Sequence, residues 1–205
     1  MKEKILEKIK ELRKRSKKRN FVQSFDLIIN LKELDPKKPE NKITEDVVLP
    51  HGRGKEARIV IFSDTIKNVN AEVLTSVDIE KIAKNKREVR KLTRSVDFFL
   101  AEPKLMPLVG KHLGQFLGPR GKMPKIITGN VEKLIEDYKK SVRIKIKDSP
   151  VIQCLVGKEN MKDEEIAENI EAVIEALKAK LPKGKQNIGD VLLKLTMSKP
   201  IRIEV

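Results

Sequence analysis

Pro50-His51-Gly52-Arg53-Gly54-Lys55 leads through Glu56-Ala57-Arg58 into Ile59-Val60-Ile61-Phe62, and within this short stretch the chain changes its pattern. Before it, strands read as one-sided. Phe25, Leu27, Ile29 and Leu31 alternate with Asp26 and Asn30, the period of a half-buried strand, with Ile28 making the second face less than wholly polar. Residues 45–49 resume as a strand that Pro50 stops. After the change, Ile59-Val60-Ile61-Phe62 is apolar throughout, as a strand covered on both faces requires. From there the pattern predicts a short helix over 64–71, a strand at Val73-Leu74 and a long basic helix over 78–94. An apolar strand at Phe98-Phe99-Leu100-Ala101 and a helix near 106–116 follow, then a Gly/Pro-rich stretch (118–129) and a helix over 130–140. Strands alternating with helices at these intervals indicate a small parallel α/β sheet.

Past residue 141 the one-sided pattern returns. Val142, Ile144 and Ile146 alternate with Arg143, Lys145 and Lys147, and Asp148-Ser149-Pro150 turns the chain into a strand over 151–156. An amphipathic helix over 163–180 carries Ile166, Ile170, Val173, Ile174 and Leu177 on one stripe, and strands follow over 191–195 and 201–203. At the other end, residues 2–19 read as a helix with Ile5, Ile9 and Leu12 on one face, closing in the basic run 13–19. The stretch 32–42, with Pro36 and Pro39, reads as a loop. The fold class is therefore mixed: α/β with α+β, an α/β insert (53–141) within a domain built from both termini (1–52 with 142–205). Gly52, Arg53, Ser141 and Val142 mark the two crossings, a natural hinge.

The chain has 205 residues and 45 Lys+Arg against 30 Asp+Glu, a net charge of +15. An excess of this size repels itself unless a polyanion is usually near, and nucleic acid is the commonest one. The excess is +5 over 1–52, +8 over 53–141 and +2 over 142–205, so it belongs to the body and not to a tail. A Lys/Glu-rich thermophile surface would balance its signs, and this one does not. Aromatic residues are 3% of the chain, with no Trp, which argues against a protein that stacks many bases. Cys154 is alone, so an intrachain disulfide is excluded and a reducing, cytoplasmic setting is expected. No apolar run approaches the ~18 residues of a membrane span.

Enzyme motifs fail residue by residue. The first insert strand runs into Ser63-Asp64-Thr65 with no G-x-G-x-x-G turn. Gly121-Lys122 has Phe116 and Met123 where a phosphate-binding loop needs Gly and Ser/Thr. Two histidines, His51 and His112, and one cysteine cannot build a conventional zinc site. Asp163-Glu164-Glu165 reads as the acidic first turn of its helix. No catalytic residue, metal or cofactor is expected. His51 reads as a hinge or contact residue, or as simply solvated.

Two loops carry the binding chemistry. Gly118-Pro119-Arg120-Gly121-Lys122 combines permissive glycines, a stiffening proline and cations suited to a phosphodiester chain. Thr196-Met197-Ser198-Lys199 joins the last two strands, offering hydroxyls for 2′-OH groups and a thioether for a sugar or base face. Either loop could also be no more than a solvated turn.

Phe21 ahead of Ser24, Leu49-Pro50-His51-Gly52, Gly118-Pro119-Arg120-Gly121, Val156-Gly157-Lys158 and Thr196-Met197 occur in an order and spacing that resembles the L-one family of large-subunit ribosomal proteins. Lys37-Lys38-Pro39-Glu40-Asn41 and Asn85-Lys86-Arg87 are similar to its archaeal branch. The resemblance covers essentially the whole chain. It implies a split α/β domain with a Rossmann-like insert, able to open and close. It further implies binding to the rRNA of the mobile lateral stalk beside the tRNA exit site, a part in release of deacylated tRNA, and often repression of the protein's own mRNA. Off the ribosome a monomer is expected. Carried onto this chain, the main RNA site comprises Phe21, Ser24 and Asp26 on one side and Thr196, Met197, Ser198 and Lys199 on the other. Gly118, Pro119, Arg120, Gly121 and Lys122 give a secondary contact. One departure stands out: the family usually has Gly directly after Thr-Met, where this chain has Ser198. Two further readings compete, a nucleotide- or nucleic-acid-processing α/β enzyme and a nonspecific basic nucleic-acid-compacting protein.

Overall fold

A computed structural model describes residues 2–35, 38, 41, 43–66, 69–146 and 149–204. Expectations that fall on Pro36, Lys37, Pro39, Glu40, Lys42, Lys67, Asn68, Lys147 and Asp148 lie outside these residues. The elements, in chain order, are α1 (Lys2–Arg15), β1 (Ser24–Leu31), β2 (Thr44–Val48), β3 (Ile59–Phe62), β4 (Glu72–Leu74), α2 (Ser76–Lys84), α3 (Lys86–Ser95), β5 (Phe98–Ala101), α4 (Met106–Leu117), β6 (Lys125–Ile126), α5 (Val131–Lys140), β7 (Ser141–Lys145), β8 (Val151–Lys158), α6 (Asp163–Lys180), β9 (Ile188–Leu195) and β10 (Ile201–Ile203). The chain divides into two compact units, 1–55 with 140–205, and 56–139.

In the terminal unit an antiparallel sheet has the order β10-β9-β1-β8, and β2 pairs with β7 in a separate ribbon. The alternation along β1 dictates which face is covered: Phe25, Leu27, Ile29 and Leu31 are buried and the residues between them are half-exposed. The buried face packs with Ile5, Ile9 and Leu12 of α1 and the Ile166–Leu177 stripe of α6. Arg13 fastens the end of α1. Its guanidinium pairs with Asp163 at 2.7 Å, donates to the carbonyls of Glu159 (2.6 Å) and Met161 (2.8 Å), and lies over the Phe25 ring.

The second unit is a parallel sheet of order β4-β3-β5-β6. Every residue of β3 and β5 is buried, as their continuous apolar runs require. Val60, Phe62, Phe99 and Ala101 face a core shared with Ile79, Val89 and Val109 of α2, α3 and α4. Ile59, Ile61, Phe98 and Leu100 face Ile135 of α5. Fully burying each such side chain contributes about 1.5–3 kcal/mol.

Three local expectations are corrected. Residues 64–66 and 69–71 are bends and turns, not a helix. The Ser63 hydroxyl accepts the N–H groups of Thr65 (3.2 Å) and Ile66 (2.8 Å), a capping pattern that no helical turn follows over 64–66. The long helix over 78–94 is two helices broken at Asn85, whose N–H donates to the Ile82 carbonyl while its side chain accepts the Arg87 N–H. One asparagine thus stops α2 and starts α3. The first helix ends at Arg15 and not at residue 19. The crossings also shift, to 55/56 and 139/140. Asn169, fully buried, donates to the carbonyls of Gly52 (2.7 Å) and Val156 (2.8 Å) and accepts the His51 N–H, which holds Gly52 to α6. Ser141 and Val142 pair with Val48 and Val47 inside the β2–β7 ribbon, and the Arg53 guanidinium donates to the Lys55 carbonyl. These hinge residues therefore lie within the terminal unit, close to the crossings but not at them.

Candidate nucleic-acid interface

Strand pairing brings the two ends of the terminal unit's sequence together. Phe25 lies opposite Leu195 where β1 and β9 end, so the residues before Ser24 and after Leu195 emerge side by side. The Ser24 N–H donates to Thr196 Oγ1 at 3.0 Å, and the Thr196 N–H returns to the Ser24 carbonyl at 3.1 Å. Thr196 and Met197 form the tip of a turn closed by the Ser198 N–H on the Leu195 carbonyl (3.0 Å). Around this interlock Phe21 and Met197 stand out from the surface, 52% and 61% exposed, where most large apolar side chains of this protein are buried. Exposed apolar residues held by a fixed backbone are a recognition feature, since leaving them in water is unfavourable for the free protein.

Gln23 is the residue that sequence reasoning missed. It is 1% exposed; its Oε1 accepts the Met197 N–H (3.2 Å), its N–H donates to Glu159 Oε2 and its carbonyl accepts the Glu159 N–H. Its Nε2 is buried with no partner among the described residues. A buried unpaired amide costs about 1–3 kcal/mol. Gln23 clamps the Phe21–Ser24 segment, the Thr196–Met197 turn and the β8–α6 connection into one body. The signal was present: running the period of two back from Phe25 puts residue 23 on the buried face.

Ser198 does not act as expected for a free hydroxyl. Its Oγ accepts the Leu195 N–H (2.9 Å) and turns back on the Leu195 and Lys199 carbonyls. Among the described residues only Glu33 combines a side chain with positive φ, so Ser198 stands in an ordinary backbone conformation and its β-carbon brings no strain there. Asp26 lies two residues along β1, opposite Lys194, outside the exposed patch. Partial burial raises its carboxyl above the ordinary range, and the Lys194 charge works against that.

The basic run 13–19 divides by role. Arg13 is structural, as described, and Arg15 pairs with Glu11. Lys17 and Arg19 are exposed and line, with Gln23, Met197, Ser198 and Lys199, a groove of about 390 Å³. Arg19 also lines a second depression with Lys18, Phe21 and Val22. The neutral patch thus borders a groove that carries Lys17, Arg19 and Lys199.

The Gly118–Lys122 loop lies in the second unit and its parts are chiefly architectural. The Lys122 N–H donates to the Leu117 carbonyl and the Gly121 N–H to the Gly118 carbonyl, with Gly121 at φ +65°, a left-handed stop to α4. The Lys122 ammonium donates to the Thr93 (2.9 Å) and Val96 (2.5 Å) carbonyls at the end of α3, neutralising that helix terminus. The Lys122 ammonium thus caps the end of α3, and Gly121 terminates α4. Gly118, Pro119 and Arg120 remain exposed.

The edge where nucleotides dock on parallel sheets, past the C-terminal ends of β3 and β5, is occupied by an anion. Glu102 accepts hydrogen bonds from Ser63 Oγ (2.5 Å) and from Thr65 Oγ1, which hold its carboxyl below the ordinary range. A fixed carboxylate there repels a phosphate. Cys154 is buried, which pushes its thiol up to about 12 and leaves it un-ionised at neutral pH. Among the described residues no group of His, Cys, Asp and Glu is arranged to hold a metal ion, and no helix is long and apolar enough to cross a membrane.

Residues 12–199 match the model of the Ribosomal protein L1p/L10e family. The chain is 45% identical over 210 residues to the large ribosomal subunit protein uL1 of Pyrococcus horikoshii, covering 98% of this chain and 96% of that one. It is 46% identical over 209 residues to uL1 of Methanocaldococcus jannaschii (98% and 95% covered) and 42% identical over 211 residues to uL1 of Methanobrevibacter smithii (99% and 100%). A match of this extent, on a chain whose Phe21–Ser24 and Thr196–Met197 segments interlock, identifies it: the chain belongs to the Ribosomal protein L1p/L10e family.

Proposed function

We propose that this protein is a structural constituent of the large ribosomal subunit that works in the cytoplasm and binds rRNA through its terminal unit. The observation that carries this reading is the interlocked patch of Phe21, Ser24, Thr196 and Met197, exposed, nearly neutral and rigid, with cations around it. Sugar hydroxyls and an RNA surface of one shape suit such a patch, because it offers hydrogen-bonding groups and apolar contact without requiring a base sequence. The surrounding Lys and Arg supply phosphate attraction that is independent of sequence. Family membership supports a binding protein over an enzyme.

In the finer reading, the rRNA is that of the lateral stalk near the tRNA exit site, and the protein aids release of deacylated tRNA and represses translation of its own mRNA by binding a similar fold in the leader. The second unit is a Rossmann-like domain that carries no nucleotide. The two crossings, at 55/56 and 139/140, let the units open and close, and the protein is a monomer off the ribosome.

The test is binding of the purified full chain to a lateral-stalk rRNA fragment, a length-matched random RNA and duplex DNA, each across a salt series. Preference for the stalk fragment that persists as salt rises supports the reading. Equal affinity for all three overturns it in favour of a nonspecific compacting protein. Cleavage of any of the three overturns it in favour of a processing enzyme.

A further inference from the structure

The geometry points to a second RNA surface, on the second unit, in which the arginines of α3 together with Arg120 dock the phosphates of an RNA double helix. It takes from the function proposed above only the nature of the polyanion. The surface itself stands on residues 86–120, none of which belongs to the terminal patch.

Val89 and Thr93 are buried, four residues apart, and fix which face of α3 turns inward. Arg87, Arg90, Lys91 and Arg94 then fall outward at spacings of three and four, all exposed. Arg87, Arg90, Lys91 and Arg94 line one depression of about 490 Å³. Arg90 and Arg94 also line its neighbour, of about 250 Å³, with Arg120, Pro119 and Phe116. The loop after α4 is what delivers Arg120 here: Gly121 stops the helix, and Lys122 ties the loop to the end of α3.

Among the described residues none of Arg87, Arg90, Lys91, Arg94 and Arg120 makes an ion pair. Glu88, the one carboxylate of α3, is engaged by Asn85 Nδ2 at 2.9 Å. Arg87 with Lys91 and Arg90 with Arg94 are like-charge pairs four apart, an arrangement that weakens a free helix and is relieved by bound phosphate. Guanidinium forks suit phosphate oxygens bidentately.

A double helix is favoured over a single strand for two reasons. No aromatic ring stands free on this face to stack unpaired bases: Phe116 is half-buried against the unit's core and Phe62 and Phe99 are fully buried. The cations are also set on a rigid helix, with Arg87 and Arg94 about 10 Å apart along its axis. That is a fixed array, suited to the regular phosphates of A-form RNA, which proteins read through backbone and shape.

The test uses the full chain and an RNA duplex of about 20 base pairs of arbitrary sequence, for which the terminal patch has no preference. Adding R87A, R90A and R94A is expected to lower the slope of log affinity against log salt by about 2.7 for three lost phosphate contacts and to weaken binding at least tenfold at low salt. Replacing the same three by lysine is expected to keep most of the slope. An unchanged slope in the alanine variant, with an unchanged melting temperature, overturns the proposal. Equal loss on single-stranded RNA of the same length overturns the duplex assignment. Failure of the function proposed above has a different signature, absence of any preference for stalk RNA in the unsubstituted chain.

Discussion

The two units place charge and neutrality in opposite ways. In the terminal unit the first cations of the basic run are committed to the fold, Arg13 to Asp163 and two carbonyls and Arg15 to Glu11, while the exposed centre is Phe21, Thr196 and Met197. In the second unit the glycine and lysine of the loop serve the fold, and what they leave exposed is a set of arginines with no neutral patch among them. A net charge of +15 therefore announces a polyanion but does not locate recognition. Discrimination is expected where hydrogen-bonding groups are few and fixed, and attraction where cations are many and unpaired.

The sharpest way to break this contrast is at Thr196. Thr196→Val removes the acceptor of the Ser24 N–H and a group able to meet a 2′-hydroxyl, and is expected to weaken stalk-RNA binding by about tenfold to a hundredfold. Random RNA should be little affected, and Thr196→Ser should restore most of the loss; filter or fluorescence binding at fixed salt reads both.

Lys122 and Arg120 separate architecture from contact within one loop. Lys122→Met leaves the Thr93 and Val96 carbonyls without their ammonium and is expected to cost about 1–3 kcal/mol in stability, read by denaturant unfolding. The salt slope of the folded protein should hardly move. Arg120→Ala should do the reverse, lowering the slope by about 0.9, one phosphate contact, with stability within about 0.5 kcal/mol of the parent.

A smaller effect is expected at Ser198. Because its hydroxyl closes the turn and its backbone is unstrained, Ser198→Gly should cost stability of about 0.5–1 kcal/mol and change RNA affinity by less than about threefold. A large gain in affinity would show that the β-carbon obstructs the RNA.

The smallest concerns acid. Hydrogen bonds from Lys2 and then His51 hold the exposed Glu168 carboxyl down to about 2 against an ordinary 4.5. A depressed carboxyl contributes stability that is present above the ordinary value and is lost as pH falls through the folded one. Glu168→Gln should therefore lower the melting temperature slightly at neutral pH, converge with the parent near pH 2, and so flatten the acid limb between about pH 4.5 and pH 2.

Much of this was legible in the chain. The change of pattern across residues 50–62 separated one-sided strands from doubly covered ones, and β1, β3, β5 and α6 follow their periods closely. What periodicity could not supply was local hydrogen-bond competition. The apolar stripe of 78–94 is interrupted by Lys84-Asn85-Lys86-Arg87-Glu88, and there Asn85, which can cap both ways, breaks the helix. Residues 64–66 and 69–71 form no helix, although the Ser63 hydroxyl bonds the Thr65 and Ile66 N–H groups in the manner of a cap. The loop Gly118–Lys122 was ambiguous for another reason: glycine beside lysine has the composition of a phosphate cradle and of a helix stop with a cation cap. Only the carbonyls within reach of the ammonium distinguish them. At the terminal patch, Thr196 was offered by the chemistry of its loop and Phe21 by resemblance to a family, whereas Gln23 needed only the parity of a strand carried two residues further.

The most direct test of the account is one plot, log affinity for the stalk-RNA fragment against log salt, for the parent chain, Thr196→Val, and the Arg90→Ala/Arg94→Ala double variant. Thr196→Val is expected to give a line displaced downward and parallel to the parent's. The double variant should give a shallower line, by about 1.8, that approaches the parent's as salt rises. Two lines of equal slope and equal displacement would contradict it.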